Sequence, residues 1–277
     1  MKQLIKGLIL IGLLMQANLL VADIFRSQDA SGNVSFSDQP SANASRVEPA
    51  VRSYRYQHTV ARVYDGDTIM LKNGEHVRLL GINTPEIKSR HRDGEAGGQR
   101  AKKWLQDKLK SSVVMLEYDQ QQRDKYDRLL AHLFLPSGEH LNAGLLTAGL
   151  ANLSVIPPNL RYLDQLQKAE QDAQHAGRAI WSMVEYQPQV VTRQTKSFTR
   201  SGWQRFQARP THIKQGRKYV RLILNDKVDV RIAMANLDLF PDLKRYLGRS
   251  LEIRGWASRK KDHYSILVRH PSAIIFR

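Results

Sequence analysis

Apolar and polar positions alternate through the middle of the chain and set the first expectations. Residues 60–64 (VARVY) and 68–71 (TIML) have the two-residue period of half-buried strands. Asn73-Gly74 is a strong hairpin turn, and residues 76–82 read as the returning strand. From 95 to 109 the period changes, and Ala101, Trp104, Leu105 and Leu109 recur at helical spacing. Residues 113–118 and 129–135 read as strands, the second ended by Pro136-Ser137-Gly138. Residues 141–148 and 162–176 read as helices, separated by Ile156-Pro157-Pro158-Asn159. Antiparallel strands with helices segregated after them predict an α+β, mainly β class. Five strands with an intervening helix predict a five-stranded barrel of the oligonucleotide-binding (OB) type, carrying three helices in all.

Strand patterning resumes after a polar, aperiodic stretch. Residues 203–208, 219–224 and 228–232 are β-type, a short helix is expected over 241–247, and 251–256 and 264–268 are again β-type. The order β-β-β-α-β-β predicts a second, smaller OB-like barrel at the C-terminus. At the other end, Ile24-Phe25 and Val34-Ser35-Phe36 flank a Ser31-Gly32-Asn33 turn, the pattern of a hairpin. The expected organisation is an export signal at 1–22, a hairpin module at 23–40 and a linker at 41–55. A barrel domain at 56–182, a linker at 183–200 and a basic domain at 201–277 follow.

Charge changes this picture. The 277 residues carry a formal net charge of +17, which favours a polyanionic partner. From 197 to 277 there are 18 Lys and Arg against 6 Asp and Glu, so most of the excess lies outside the central barrel. Trp203, Phe206, Tyr219, Trp256 and Tyr264 are interleaved there with Arg205, Arg221, Arg254, Lys260 and Lys261. That mixture suits base stacking and phosphate tracking along a single strand, with Arg205, Arg221, Arg254, Trp256, Lys260 and Lys261 as accessory nucleic-acid contacts. It equally suits a small barrel with aromatics inside and cations in water. His263 and His270 have no carboxylate nearby in sequence and read as structural.

The chain has no cysteine, which excludes disulfides, thiolate catalysis, cysteine zinc sites and a lipid-attachment cysteine. Lys2 and Lys6 precede an apolar run, and Leu20-Val21-Ala22 is an acceptable cleavage site. The apolar run is short for a bilayer span. The expectation is therefore an exported protein, periplasmic or secreted, with no membrane span after cleavage, and monomeric.

Two acidic turns bracket the first hairpin: Asp65-Gly66-Asp67-Thr68 and Asn83-Thr84-Pro85-Glu86, with Arg78 between them. Each is compatible with an ordinary turn or helix start. Together with Arg78-Leu79-Leu80-Gly81-Ile82, Asp124-Lys125-Tyr126-Asp127-Arg128 and Ile180-Trp181-Ser182, in this order, they resemble the staphylococcal nuclease (thermonuclease) family over residues 57–182. The segment 23–40 more loosely resembles a short module common on proteobacterial envelope proteins.

The nuclease resemblance implies a Ca²⁺-dependent enzyme hydrolysing phosphodiester bonds of DNA or RNA, with the 5′ oxygen leaving and 3′-phosphate products. It implies Asp67, Asn83 and the Thr84 carbonyl as metal ligands, with Asp65 behind them or acting through water. Glu86 would be the general base, and Arg78 and Arg128 would hold phosphate oxygens. Lys125 and Tyr126 would contact the nucleotide's terminal phosphate.

Two departures stand out. The family has an aspartate where this chain has Asn83, and the stretch Asn152-Leu153-Ser154-Val155-Ile156-Pro157-Pro158 lacks the family's pair of tyrosines. A non-enzymatic alternative is thus a nuclease-fold protein of the cell envelope that binds nucleic acid or other anionic polymers.

Overall fold

The structure is a computed structural model of the chain and describes residues 24–28, 34–39, 45–47, 54–88, 93–192, 194–195 and 202–277. The leader expected at 1–22 lies outside the described residues. The chain divides into two compact units, Met1–Arg52 and Ser53–Arg277.

In the first unit, β1 (Ile24–Gln28) pairs antiparallel with β2 (Val34–Ser37), as the turn signal predicts. A third strand, β3 (Ser45–Val47), pairs with the other edge of β1. It comes from the segment expected to be a linker. Two strands alone are marginal in water, and the third gives β1 backbone partners on both sides.

The second unit opens with β4 (Arg55–Val63), β5 (Thr68–Leu71), β6 (His76–Leu79) and the two-residue β7 (Ile82–Asn83). Helix α1 (Gly98–Lys108), β8 (Val113–Arg123) and β9 (Leu129–Phe134) follow. Then come α2 (Leu141–Thr147), β10 (Asn152–Leu153) and α3 (Leu163–His175). Strands β4-β5-β6-β9-β8 close into a barrel, parallel only between β6 and β9. The two-residue period sends Ile69, Leu71, Val77, Leu79, Val114, Leu116, Ala131 and Leu133 into the core, against Ala101, Leu105, Leu145 and Leu166 from the helices.

Polar pins fix the helices. Buried Asn142 on α2 accepts from Leu133 N–H at 2.9 Å and donates to the Leu80 carbonyl at 2.8 Å. Buried Glu117 on β8 accepts from Arg55, Arg161 and the Tyr162 hydroxyl. Burial pushes the Glu117 carboxyl upward, but those three donors outweigh it and hold the group below its ordinary range.

The returning strand of the hairpin is not continuous. Gly81 takes φ +74°, and Ile82-Asn83 leave the barrel to pair with β10, Asn83 opposite Asn152. A side chain at 81 would meet Leu166 Cδ1 at 2.5 Å, so both conformation and space demand glycine.

The polar stretch at 183–200 is not a free linker. Val184–Tyr186 forms a 3-10 turn, and Tyr186 is buried with Ile180, Trp181 and Ala173 in a cluster that also takes in Trp203. Then β11 (Gln189–Val190) pairs parallel with β12 (Gly202–Ala208). The rest is β13 (His212–Gln215), β14 (Tyr219–Asn225), β15 (Val228–Ala233), β16 (Leu251–Lys260), β17 (His263–Val268) and β18 (Ile274–Phe276). The expected helix at 241–247 is one 3-10 turn, Leu243–Tyr246.

The sheet order β12-β16-β17-β15-β14, with β15 and β17 parallel, matches the first barrel's order strand for strand. It does not close into the second barrel expected from the pattern. The free edge of β12 is taken by β11 and that of β14 by β13, so the sheet is a curled half-barrel. Among the described residues no helix is long and apolar enough to cross a membrane.

Candidate active site

The connection from β4 to β5 is the turn Tyr64 to Asp67, and barrel closure delivers it beside residues 83 and 84. A side chain on Gly66 would meet Ala101 Cβ at 2.6 Å and Thr84 Cγ2 at 2.7 Å, so the turn lies directly against α1 and Thr84. Asp67 is the hinge of the arrangement. Its Oδ2 accepts from the Thr84 backbone N–H at 2.7 Å and lies 3.0 Å from Arg78 Nη1; its Oδ1 accepts from the Thr68 hydroxyl at 3.2 Å. Arg78 Nη2 donates to Asn83 Oδ1 at 3.2 Å, and Asn83 Nδ2 donates to the Thr84 carbonyl at 3.3 Å. The structure therefore brings together Asp67, Arg78, Asn83 and Thr84, four residues from three separate segments.

Asp65 stands behind Asp67 and accepts its backbone N–H at 3.0 Å. Burial, reinforced by the neighbouring Asp67 charge, pushes Asp65 up to about 7. Among the described residues no three His, Cys, Asp or Glu side chains gather around one point. A cation here would rest on the Asp67 carboxylate, with Asp65 behind it, and on neutral oxygens of Asn83 and Thr84. All are hard oxygen donors, the set that suits Ca²⁺ rather than a soft metal. Across the β7–β10 pair, Asn152 Oδ1 is buried without a hydrogen-bond partner. This orphan oxygen opposite Asn83 adds to the fit, and nothing in the sequence singles Asn152 out as a site residue.

Arg128 is carried by the turn before β9. Val77 pairs with Leu129 and Arg78 with Leu130, so Arg128 lies just before the strand that runs beside Arg78. Asp124 holds it: Oδ2 accepts from Nε at 2.9 Å, while Oδ1 caps the Tyr126 and Arg128 amides. Tyr126 is two-thirds exposed, with Lys125 Nζ 4.8 Å and the Arg128 guanidinium 5.5 Å from its ring centre. Glu86 is half-exposed, and its backbone N–H donates to Glu95 at 3.0 Å. Residues 84–88 have no regular secondary structure; the helix starts only at Gly98.

The accessory contacts expected in the C-terminal region need correction. Arg205 and Arg254 are each only 5% exposed and are spent on buried carboxylates. Arg205 donates to Glu252 in bidentate fashion at 2.8 and 3.0 Å, and Arg254 bonds Glu252 at 2.7 Å and also Glu170 on α3. Both guanidinium groups lie over the Trp181 ring. They dock the sheet onto the barrel domain and do not face a strand of nucleic acid. Arg221 is paired with buried Asp229, which also accepts from His263 at 2.8 Å, so His263 has a carboxylate partner remote in sequence. Lys260 and Lys261 are exposed in the β16–β17 hairpin, and Trp256 is half-exposed.

Comparison with known proteins agrees with this geometry. Residues 76–183 match the staphylococcal nuclease homologue family, and residues 11–54 match a domain of unknown function, DUF4124. The thermonuclease of Staphylococcus hyicus is 35% identical over 128 residues, 45% of this chain and 75% of that protein. The thermonuclease of Staphylococcus intermedius is 38% identical over 127 residues, 45% of this chain and 75% of that protein. Endonuclease YncB of Bacillus subtilis is 38% identical over 133 residues, 46% of this chain and 63% of that protein. With this barrel, this cluster of oxygens and cations and these relatives, the chain belongs to the staphylococcal nuclease family and is a nuclease of the hydrolase class.

Proposed function

We propose that the protein is an exported, Ca²⁺-dependent nuclease that cleaves DNA or RNA at the cluster around Asp67. The observation that carries this reading is that one carboxylate, Asp67, is bonded at once to Thr84 and Arg78, while Arg78 reaches Asn83. Two acidic turns and a cation thereby meet in one hydrogen-bonded cluster. Ca²⁺ held by Asp67, Asn83 and the Thr84 carbonyl would neutralise charge on the phosphate. The remaining work falls to side chains. Glu86 takes a proton from the attacking water. Arg78 and Arg128 donate to phosphate oxygens as negative charge builds on them, and the phosphorus–5′ oxygen bond breaks. Lys125 and Tyr126, exposed on the adjacent turn, meet the terminal phosphate. Asn83 keeps an oxygen donor but removes a formal charge, so weaker metal affinity is expected.

The basic C-terminal sheet retains substrate in this reading, through its exposed cations rather than through Arg205 and Arg254. The Lys2, Lys6 and Leu20-Val21-Ala22 pattern supports export, and the mature chain would begin at Asp23.

The test is cleavage of single-stranded DNA and RNA by the mature protein with millimolar Ca²⁺ and with a chelator. Cleavage with Ca²⁺ that stops with chelator, and a fall of about 10²–10⁴-fold in kcat for Glu86→Gln, is the expected result. No cleavage of any nucleic acid at millimolar Ca²⁺ would sink the proposal.

A further inference from the structure

Glu86, the residue assigned as general base, sits in a segment without regular secondary structure, so neither a helix nor a strand holds it. Its hold comes from nine residues downstream. The Glu86 backbone N–H donates to Glu95 Oε2 at 3.0 Å, and the Glu95 N–H returns a bond to the Glu86 carbonyl at 2.8 Å. A side chain on Gly98 would meet that same carbonyl at 2.6 Å, so the first turn of α1 is laid directly on it. A residue bonded through both its N–H and its C=O keeps few backbone orientations, and its side chain is aimed accordingly.

Glu95 is exposed, and water competes for a bond of that kind. Its neighbour supplies the anchor. Ala96 packs on the cluster of Ala173, Ile180, Trp181 and Tyr186, and its carbonyl accepts from the Tyr186 hydroxyl at 3.0 Å. Tyr186 is buried and comes from the 3-10 turn beyond the barrel domain. It is fixed at its backbone as well: its carbonyl accepts from Arg205 Nη1 at 3.0 Å, and Arg205 is paired with Glu252 in the buried seam. At the start of β12, a side chain on Gly202 would touch Glu95 Oε1 at 4.0 Å. A chain of contacts thus runs from Glu252 through Arg205 and Tyr186 to Ala96, next to the Glu95 clamp on Glu86. The Tyr186 ring alone would satisfy the apolar cluster; the hydroxyl adds a directed bond that fixes where Ala96, and with it Glu95, can lie.

We propose that Tyr186 is a positioning residue for the reaction: its hydroxyl, through the Ala96 carbonyl and the Glu95 clamp, holds Glu86 where its carboxylate reaches the attacking water. By this route the C-terminal sheet acts on the chemistry through the loop that carries the base. The proposal rests on the nuclease reading for the role of Glu86, while the hold on the loop is measured without cleavage.

The full-length mature chain is used throughout. Tyr186→Phe, which keeps the ring in the cluster, should lower kcat about tenfold and leave KM within about twofold, because a small displacement of reacting groups is costly to the chemical step. Glu95→Ala should act likewise, and Glu95→Gln, whose amide oxygen still accepts from Glu86, should restore most of the rate. In the Glu86→Gln background Tyr186→Phe should change the residual rate by less than about twofold, since the group it positions is gone. The second readout is hydrogen exchange at the Glu86 amide, which should quicken about tenfold in Tyr186→Phe and in Glu95→Ala.

Unchanged exchange at Glu86 in Tyr186→Phe overturns the proposal whatever the rate does. So does a kcat within about twofold of an active parent, or a fall of the same size with and without Glu86, which is what a purely structural role would give. A parent that never cleaves, while Tyr186→Phe loosens the Glu86 amide, would refute the nuclease reading and leave the hold on the loop standing.

Discussion

The two β-structures of the second unit share one strand order and differ in whether it closes. In the first, β4 pairs with β5 and the intervening turn, Asp65-Gly66-Asp67, is drawn against Thr84. In the second, the corresponding edges are capped by β11 and β13, and the connection between β12 and β14 carries an extra strand instead of a tight turn. Closure makes loops from distant segments converge and so builds a cluster of mutually hydrogen-bonded polar groups. An open sheet leaves a broad face, and here that face carries a buried ionic seam. The same topology thus supplies a reaction centre in one case and a docking surface in the other, which is why fold alone does not assign function.

The sharpest way to break this comparison is to open the seam. Arg254→Met removes the cation paired with Glu170 and one partner of Glu252 in a buried site. A loss of about 3–5 kcal/mol in urea unfolding is expected, because breaking one side of a buried pair strands the other charge. An unchanged midpoint would show that the sheet does not depend on docking.

Acid should act on the two regions in different windows. Burial, with His140 nearby, holds His132 down to about 3, and burial holds His140 down to about 4. The unfolded chain protonates these imidazoles near 6.5 while the folded one refuses the protons. Their contribution is therefore complete above that pH and is lost as pH falls from 6.5 towards 4 for His140 and towards 3 for His132. In the seam, burial pushes Glu252 up, but Arg205, Arg254 and Arg277 together pull it down to about 2. Its contribution holds above the ordinary carboxylate range and is lost only as pH falls from about 4.5 to about 2. Urea unfolding as a function of pH should show the first loss between 6.5 and 4, and His140→Phe should flatten it. A flat profile in both proteins would contradict the histidine assignment.

A smaller effect is expected at the glycine on which convergence depends. Gly66→Ala forces a methyl into Thr84 and Ala101, and a loss of about 1–3 kcal/mol with a matching fall in cleavage should follow. A variant as stable and active as the parent would mean that the turn tolerates displacement.

The smallest expected effect is Asn83→Asp, which adds a formal charge at a position proposed to hold the metal. The half-saturating Ca²⁺ concentration should fall by about tenfold or less. No shift would remove Asn83 from the ligand set.

Much of this was legible along the chain. Three barrel strands and the three helices fall within a few residues of their periodic patterns, while β4 starts five residues earlier and β8 runs five further; the Asn73-Gly74 hairpin stands where the turn signal puts it. Asp67, Asn83, Thr84 and Arg78, which the structure brings together, are named through the resemblance to the nuclease family, since each turn alone reads equally as an ordinary turn. The misreadings share a cause. Arg205 and Arg254 look like exposed cations because nothing near them in sequence announces Glu252's burial or Glu170, 84 positions from Arg254. The β11 strand hid in a polar stretch because an edge strand of two residues has no period to detect. His263 found its carboxylate in Asp229, 34 residues away.

The sequence by itself determined the period of each element, the turn chemistry, the excess of cations and the residue types available for phosphate chemistry. These are local properties, set by steric preference and by the free energy of burying apolar positions spaced two or three to four apart. Tertiary structure alone decided which charges meet. Barrel closure set Asp67 against Thr84 and Arg78, and capped edges held the second sheet open. Docking of that sheet consumed two arginines, Arg205 and Arg254. Such pairings depend on long-range contacts and on the cost of burying a charge without its partner, and neither is written in any one stretch of the chain.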